Sequence, residues 1–355
     1  MSQPQSRTIH SLSPSRLWPL SLCPKQVALG QVGGRAMGSM WTELGTITHE
    51  ALEIITRDRS ILGPNPREAF EAAWAIAVEN SRNRGYTPED WGPLNRARFR
   101  ARRKVSTVAQ LIRDEGPDSE SFPEQELYTA NRDLGGTVDL IIRGSDRTVI
   151  IDYKTGTGSH EGEAKSVYEQ QLQLYAAIEW ENSGRVPSRV AVLSTIDGWT
   201  EIEITEDSCR AALATARSLR EQYNSRVPGP QPGTPSDEAC IFCSYSPLCE
   251  EFWLALANRS IRSAVDDGTH SLRGALNAKP TRAQNGNLIL EIATQQATVH
   301  HDGLILVTGL NEANQPDIAD ASGGQSISMT GLRLRETDTT QVVLQATSLT
   351  KYALV

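Results

Sequence analysis

The sequence predicts an α/β unit over residues 1–258, followed by a small all-β unit over residues 266–355. Three observations predict this. Up to about residue 224, segments with apolar residues at helical spacing alternate with short runs of β-formers. A Pro/Gly-rich stretch, VPGPQPGTP, then leads into the cysteine-bearing CIFCSYSPLC. After about residue 265 the helical period disappears, and Thr, Gln and β-branched residues dominate.

Taken in order, Ser13 and Pro14 provide an N-cap and a first-turn proline, and so start a helix. A second helix begins near Thr46 and runs through THEALEIITRD. Residues 67–82 and 94–114 carry the helical period again, the latter including RARFRARRK. Glu124–Ala130, Gly136–Arg143 and Thr148–Lys154 read as three strands joined by turns. Helix returns over 163–182, strands over Val190–Thr195 and Thr200–Ile204, and helix over 206–224. In the last part, HSLRGALNAKPTRAQNGNLILEIA suggests an opening hairpin, GLILVTGL a strand, and SISMTGLRLRETDTTQVVLQATSL a closing hairpin. An OB-like barrel fits that strand count and length. Stacking residues for a single-stranded ligand are scarce there, Tyr352 standing alone, so a protein-docking or purely structural role competes.

Composition narrows the function. A chain of 355 residues suggests about two domains. With 38% hydrophobic and 22% charged residues, disorder is excluded. The net charge of −8 excludes a globally basic nucleic-acid coat, though not a local basic groove. The sequence has no apolar run long enough for a transmembrane helix. The apolar stretch Leu17–Leu22 is short and broken by Pro19, which argues against a signal peptide and for a cytoplasmic protein without membrane partners. In that compartment clustered cysteines read as metal or cluster ligands before disulfides.

The segment GGTVDLIIRGSDRTVIIDYKTGTG carries the chemistry. Pairing Arg143 with Thr148 across the turn sets Asp139 opposite Asp152, with Cβ atoms about 5 Å apart. Like charges so placed are costly unless a cation or proton lies between them. Lys154 projects from the same face as Asp152. Two carboxylates and an ammonium beside apolar strands suit phosphodiester hydrolysis assisted by a divalent metal. The competing picture is a surface hairpin with solvated charges.

These residues resemble the PD-(D/E)XK nuclease superfamily, in particular its RecB-like and AddB-like branch, which includes CRISPR-associated members. Gly136-Thr-Val-Asp139 is similar to its G-x-x-D motif, Asp152-Tyr-Lys154 to D-x-K, Gln171-Leu-Gln-Leu-Tyr175 to Q-x-x-x-Y, and Gly45-Thr-Ile-Thr-His49 to G-x-x-x-H. SPSRLWPLSLCP resembles the opening segment of that branch. The resemblance implies a restriction-endonuclease-like core, a mixed central sheet flanked by helices. It implies Mg²⁺ or Mn²⁺ held by Asp139, Asp152 and His49, with the main-chain carbonyl of Tyr153 completing the shell. Lys154 would act on the attacking water. Gln171 and Tyr175, four apart on one helical face, would brace the site or touch the nucleic-acid backbone. Glu126, on the strand before the hairpin, matches an acidic position of some relatives and would give support.

Cys240-x-x-Cys243-x5-Cys249 provides three thiolates, and a tetrahedral site needs a fourth. Cys209 sits in an apparent helix, where a buried structural cysteine is the ordinary reading. The resemblance supplies Cys23 instead, as the fourth ligand of a [4Fe–4S] cluster; the residues alone equally permit Zn²⁺.

Arg96, Arg98, Arg100, Arg102, Arg103 and Lys104 crowd one short stretch, either a solvated face balanced by acids or a phosphate-tracking surface. No G-x-x-x-x-G-K-[ST] is present, so any helicase or other repair or CRISPR protein would act in trans. The expectation is a metal-dependent DNase acting on single-stranded DNA or DNA ends. The alternatives are a non-catalytic DNA-binding scaffold and an RNase or structure-specific nuclease.

Overall fold

A computed structural model of the chain describes residues 5–32, 40–156, 159–160, 163–164, 166–241, 243–261, 268–301, 303–312, 315–335, 341–347 and 350–354. Two compact units result. One comprises Arg7–Ser21 and Met37–Pro228, the other Met1–Ser6, Leu22–Ala36 and Gly229–Val355. Two short helices open the chain, α1 (Pro14–Leu22) and α2 (Pro24–Val32), and α2 belongs to the second unit.

The first unit continues with α3 (Met40–Arg57), α4 (Pro66–Asn83) and α5 (Leu94–Asp114). Strands β1 (Glu120–Tyr128), β2 (Gly135–Arg143) and β3 (Thr148–Lys154) follow. A two-residue ribbon, β4 (Ser159–His160) with β5 (Glu163–Ala164), precedes α6 (Ser166–Ser183). Then come β6 (Arg189–Ser194), β7 (Gly198–Glu201) and α7 (Glu206–Asn224). The sheet order is β1-β2-β3-β6-β7. It is mixed: β3 pairs antiparallel with β2 and parallel with β6.

Side-chain alternation decides which helices cover which face. Leu140, Ile142, Val149, Ile151, Tyr153 and Leu193 share one core cluster with apolar residues of α3, α4 and α5. On α4 the buried positions Phe70, Ala73, Trp74, Ala77, Val78 and Ser81 recur at helical spacing, which makes one stripe. The opposite face belongs to α6. There Arg143 pairs with the buried Glu179 at 2.9 Å, and Gln171 reaches Asp152. Gly136 shows why its motif begins with glycine: an added Cβ would lie 3.2 Å from the Tyr175 hydroxyl.

The second unit holds α8 (Asp237–Ile241), a 3-10 turn over Ser246–Leu248, and α9 (Glu250–Ala257). Its strands are β8 (Thr269–Leu276), β9 (Thr281–Arg282), β10 (Asn287–Ala297) and β11 (Leu304–Asn311). The short α10 (Pro316–Ala319) comes next, then β12 (Ser326–Arg335), β13 (Val343–Gln345) and β14 (Lys351–Leu354). β8, β10, β11, β13 and β12 close on one another in that order, and β11–β13 is the parallel pair. In chain order this is 1-2-3-5-4-1, a closed five-stranded, OB-like barrel. Leu290, Ile292, Ile305, Val307, Met329 and Leu332 fill its interior. Tyr352 donates to Asp317 Oδ1 at 2.7 Å and packs against that core, so its hydroxyl is already engaged.

Several elements differ from the sequence reading. α3 begins at Met40, ahead of Thr46, because Gly45 is carried inside the helix. β1 begins at Glu120, ahead of Glu124. Glu163 and Ala164, expected in a helix, pair in the ribbon instead. α2 and α9 were not expected. Both are little more than two turns long, and α9 is mostly apolar, so neither shows a period. The cysteine segment clusters with the barrel, where the sequence reading grouped it with residues 1–258. Its anchors are local: Lys351 Nζ donates to the Cys243 carbonyl at 3.0 Å, and Ser246 Oγ lies 3.4 Å from Thr330 Oγ1.

Candidate active site

The β2–β3 register is the expected one, with Arg143 opposite Thr148 and Leu140 opposite Ile151. One step further the ladder ends. There the Asp139 side chain takes over as acceptor, and the Tyr153 main-chain N–H donates to its Oδ2 at 2.5 Å. The carboxylate is thereby held at the open end of the hairpin. Its other oxygen, Oδ1, lies 3.3 Å from His49 Nδ1. His49 comes from α3, and its ring stands edge-on to Tyr153, with centroids 5.9 Å apart.

Asp152 is almost fully buried on the α6 face. Lys154 Nζ lies 2.5 Å from its Oδ2, and Gln171 Nε2 donates to its Oδ1 at 3.0 Å. The Lys154 ammonium also sits 4.9 Å from the centre of the Tyr168 ring. Tyr175, one turn after Gln171, is buried and donates to the Thr137 carbonyl at 2.6 Å. It braces β2 at the motif glycine and is too buried to meet a nucleic-acid backbone. The site thus straddles the end of the sheet, with His49 reaching in from one helical layer and Gln171 from the other.

A further acid joins it. Pro123 pairs with Leu140 and Gln125 with Val138, which sets Glu124 at the level of Asp139. Glu124 has φ 48°, a left-handed conformation rare for this residue type, and it drops out of the ladder. Ligand atoms of His49, Glu124 and Asp139 lie within 4.8 Å of one another. Asp152 is not in this group, and neither is Glu126, which was expected to support the site and is exposed. The β1–β2 connection is not a two-residue turn, so sequence spacing could not choose between Glu124 and Glu126. The only sequence signal was an acid following a proline near the strand start.

The charges are frustrated without a cation. Burial first, and then the Asp139 charge, push the Glu124 carboxyl up to about 7. The same two causes raise Asp152. For Asp139 burial acts upward too, but His49, Lys154 and the Tyr153 N–H outweigh it and hold the group low. Burial would lower His49, yet Asp139 overrides it and raises the imidazole. Two acids that resist ionising beside one that is ionised form a site short of positive charge. A divalent cation with oxygen and imidazole ligands fits this donor set.

The cysteines form a separate group. Cys23, Cys240, Cys243 and Cys249 line one pocket in the second unit, with Lys25 beside them. Lys25 is paired with Glu251, and Cys249 Sγ lies 3.5 Å from that same carboxylate. Burial pushes the Cys240 thiol up to about 11 and Cys249 up to about 12, so both stay protonated as free thiols. Cys209 stands apart, buried in α7 of the first unit.

A mixed sheet with helices on both faces, ending in a carboxylate pair, a lysine and a helix-borne glutamine, defines a nuclease-type site. The sequence profile of the PD-(D/E)XK nuclease superfamily matches residues 11–250, about two thirds of the chain. The protein belongs to that superfamily. No curated protein matches its sequence. Among the described residues no helix is long and apolar enough to cross a membrane.

Proposed function

We propose that the protein is a cytoplasmic Mg²⁺- or Mn²⁺-dependent deoxyribonuclease of the RecB-like and AddB-like branch. It would cut single-stranded DNA or DNA ends in repair, recombination or CRISPR adaptation, with any helicase supplied by a partner. The observation that carries this reading is that the pairs His49–Asp139 and Lys154–Asp152, on adjacent strands, stand at the same end of the sheet.

His49, Glu124, Asp139 and Asp152 would hold the cation, joined by the main-chain carbonyl of Tyr153. Bound there, the cation supplies an acidified water and polarisation of a phosphoryl oxygen. The chain's own groups do the rest. Gln171 holds the Asp152 carboxylate in one orientation. Lys154 places a positive charge where the water and the developing negative charge lie, and its buried ion pair with Asp152 keeps it protonated. Tyr175 fixes the backbone from which Asp139 projects.

The four cysteines would hold a [4Fe–4S] cluster, with Zn²⁺ as the alternative. All four line one pocket although Cys23 is remote in sequence, and four sulfur donors suit either group. The role would be a staple between the first residues of the second unit and its cysteine segment.

The test is incubation of the purified protein with Mg²⁺ or Mn²⁺ and end-labelled single- and double-stranded DNA. Metal-dependent cleavage that disappears in Asp152→Ala is expected. Cleavage that persists in that variant at near wild-type rate overturns the assignment. No cleavage of either DNA while labelled RNA is cut would make the protein an RNase.

A further inference from the structure

α5 divides its basic residues between two jobs. Arg98 and Arg102 face α4, where both approach Glu71, at 3.7 and 2.9 Å. Arg96, Arg100 and Arg103 have no ion-pair partner among the described residues. At about 100° per residue, Phe99, Arg103, Arg96, Arg100 and Lys104 fall side by side on one arc of about 140°. The apolar seam Ala101, Val105 and Val108 lies on the other side, in the core. Phe99 is 60% exposed, the largest exposure of any large apolar side chain among the described residues. A phenyl ring standing in water between guanidiniums has no packing reason to be there.

The arc also has a definite place relative to the active site. At its C-terminal end α5 meets the closed end of the hairpin, where a Cβ on Gly144 would lie 3.2 Å from the Glu115 carbonyl. Ten residues back, Lys104 Nζ would lie 3.4 Å from a Cβ on Gly198. Gly198 pairs with Ser194, and Ser194 pairs with Lys154. The Lys104 ammonium therefore reaches the catalytic end of the sheet, and Leu94–Arg103 adds about 15 Å of helix on its N-terminal side. α3 overhangs the same end. Gly45 abuts Thr155, just after Lys154, and Trp41 lies one turn further out on the stripe that carries His49. Trp41 is 47% exposed.

We infer that the overhanging ends of α5 and α3 form a guide for single-stranded nucleic acid, with Phe99 and Trp41 stacking unpaired bases and Arg96, Arg100, Arg103 and Lys104 tracking the phosphates. This rests on the nuclease reading and extends it to the form of the substrate. Guanidiniums alone would suit a duplex equally. Exposed ring faces select a single strand, because a duplex offers stacking partners only at its ends. In a chain of net charge −8, an arc whose three guanidiniums have no ion pair among the described residues is complementary to a polyanion.

The experiment uses the full-length Asp152→Ala protein, so that binding is read without cleavage. Fluorescein-labelled 30-mers of dU and U and a 30-base-pair duplex are titrated by anisotropy over a range of salt. The single strands should bind tighter than the duplex. Phe99→Ala and Trp41→Ala should each weaken single-strand binding about fivefold or more, leaving duplex binding unchanged. Arg100→Glu/Arg103→Glu should weaken both and flatten the salt dependence by about 0.7 per lost phosphate contact. Arg210→Glu, on the exposed face of α7, serves as the control and should change nothing. With the base held constant, stronger binding of dU than of U, or the reverse, identifies the sugar of the guided strand. Equal binding of single strand and duplex, or single-strand binding untouched by the four substitutions, overturns the guide. Cleavage of DNA by the unsubstituted protein would then still stand as evidence for the nuclease reading, since it is scored separately.

Discussion

The Asp139 carboxylate accepts the main-chain N–H of Tyr153 at 2.5 Å, at the point where the ladder between their strands stops. One side chain thus both terminates a β-pairing and presents an oxygen to the candidate metal site. Its two oxygens divide the work, Oδ2 to the backbone and Oδ1 toward His49.

That double role separates two substitutions. Asp139→Asn keeps an acceptor for the Tyr153 amide, whereas Asp139→Ala leaves the amide without one. Both should abolish cleavage. Asp139→Ala should also be less stable than Asp139→Asn by about 1–2 kcal/mol, the cost of an unmet buried donor. Urea denaturation of the metal-free proteins measures the difference; equal midpoints would remove the structural half of the claim.

Glu124 predicts a pH effect. Its carboxyl titrates near 4.5 when unfolded and is raised to about 7 in the fold. Between those values the folded state holds a proton that the unfolded chain has released. The metal-free protein therefore loses stability as pH rises through that window. Glu124→Gln should remove the loss, raising the melting temperature in chelator at pH 8 by about 2–4 °C and leaving it unchanged at pH 4.5. The same variant should bind Mn²⁺ about tenfold more weakly, as read by calorimetry.

Gln171 donates from α6 to the Asp152 carboxylate. Gln171→Ala should lower kcat about 10- to 100-fold with little change in the melting temperature. Gln171→Glu should be worse, since it adds another carboxylate to a site already short of positive charge. Full activity in both would show that Asp152 needs no external brace.

The cysteine pocket predicts colour and stability. Protein purified without oxygen should be brown with a broad visible absorbance band, and Cys23→Ala should lose both iron and that band. Cys209→Ala should lose neither. Melting should fall in Cys23→Ala more than in Cys209→Ala, because only the former removes a cross-link spanning a long loop. A colourless protein with one zinc keeps the staple and removes the cluster.

The sequence by itself determined what is local. The apolar period of α4 and α5 and the turn Gly144–Arg147 are written within a few neighbouring residues. A tight turn also sets its own register, which is why the pairing of Arg143 with Thr148 and of Leu140 with Ile151 was legible. The spacing of Gln171 and Tyr175 was legible for the same reason, since one helix carries both. Tertiary structure alone decided the rest. That Glu124 and not Glu126 stands beside His49 depends on how β1 lies against β2, with no tight turn to dictate it. That Arg98 and Arg102 are spent on Glu71, while Arg96, Arg100 and Arg103 have no ion pair among the described residues, depends on where α4 packs. That Cys23 joins Cys240, Cys243 and Cys249 depends on a chain closure across more than two hundred residues. Short-range periodicity carries no information about such closures, because they are selected by the burial of whole faces and not by the residues that happen to meet there.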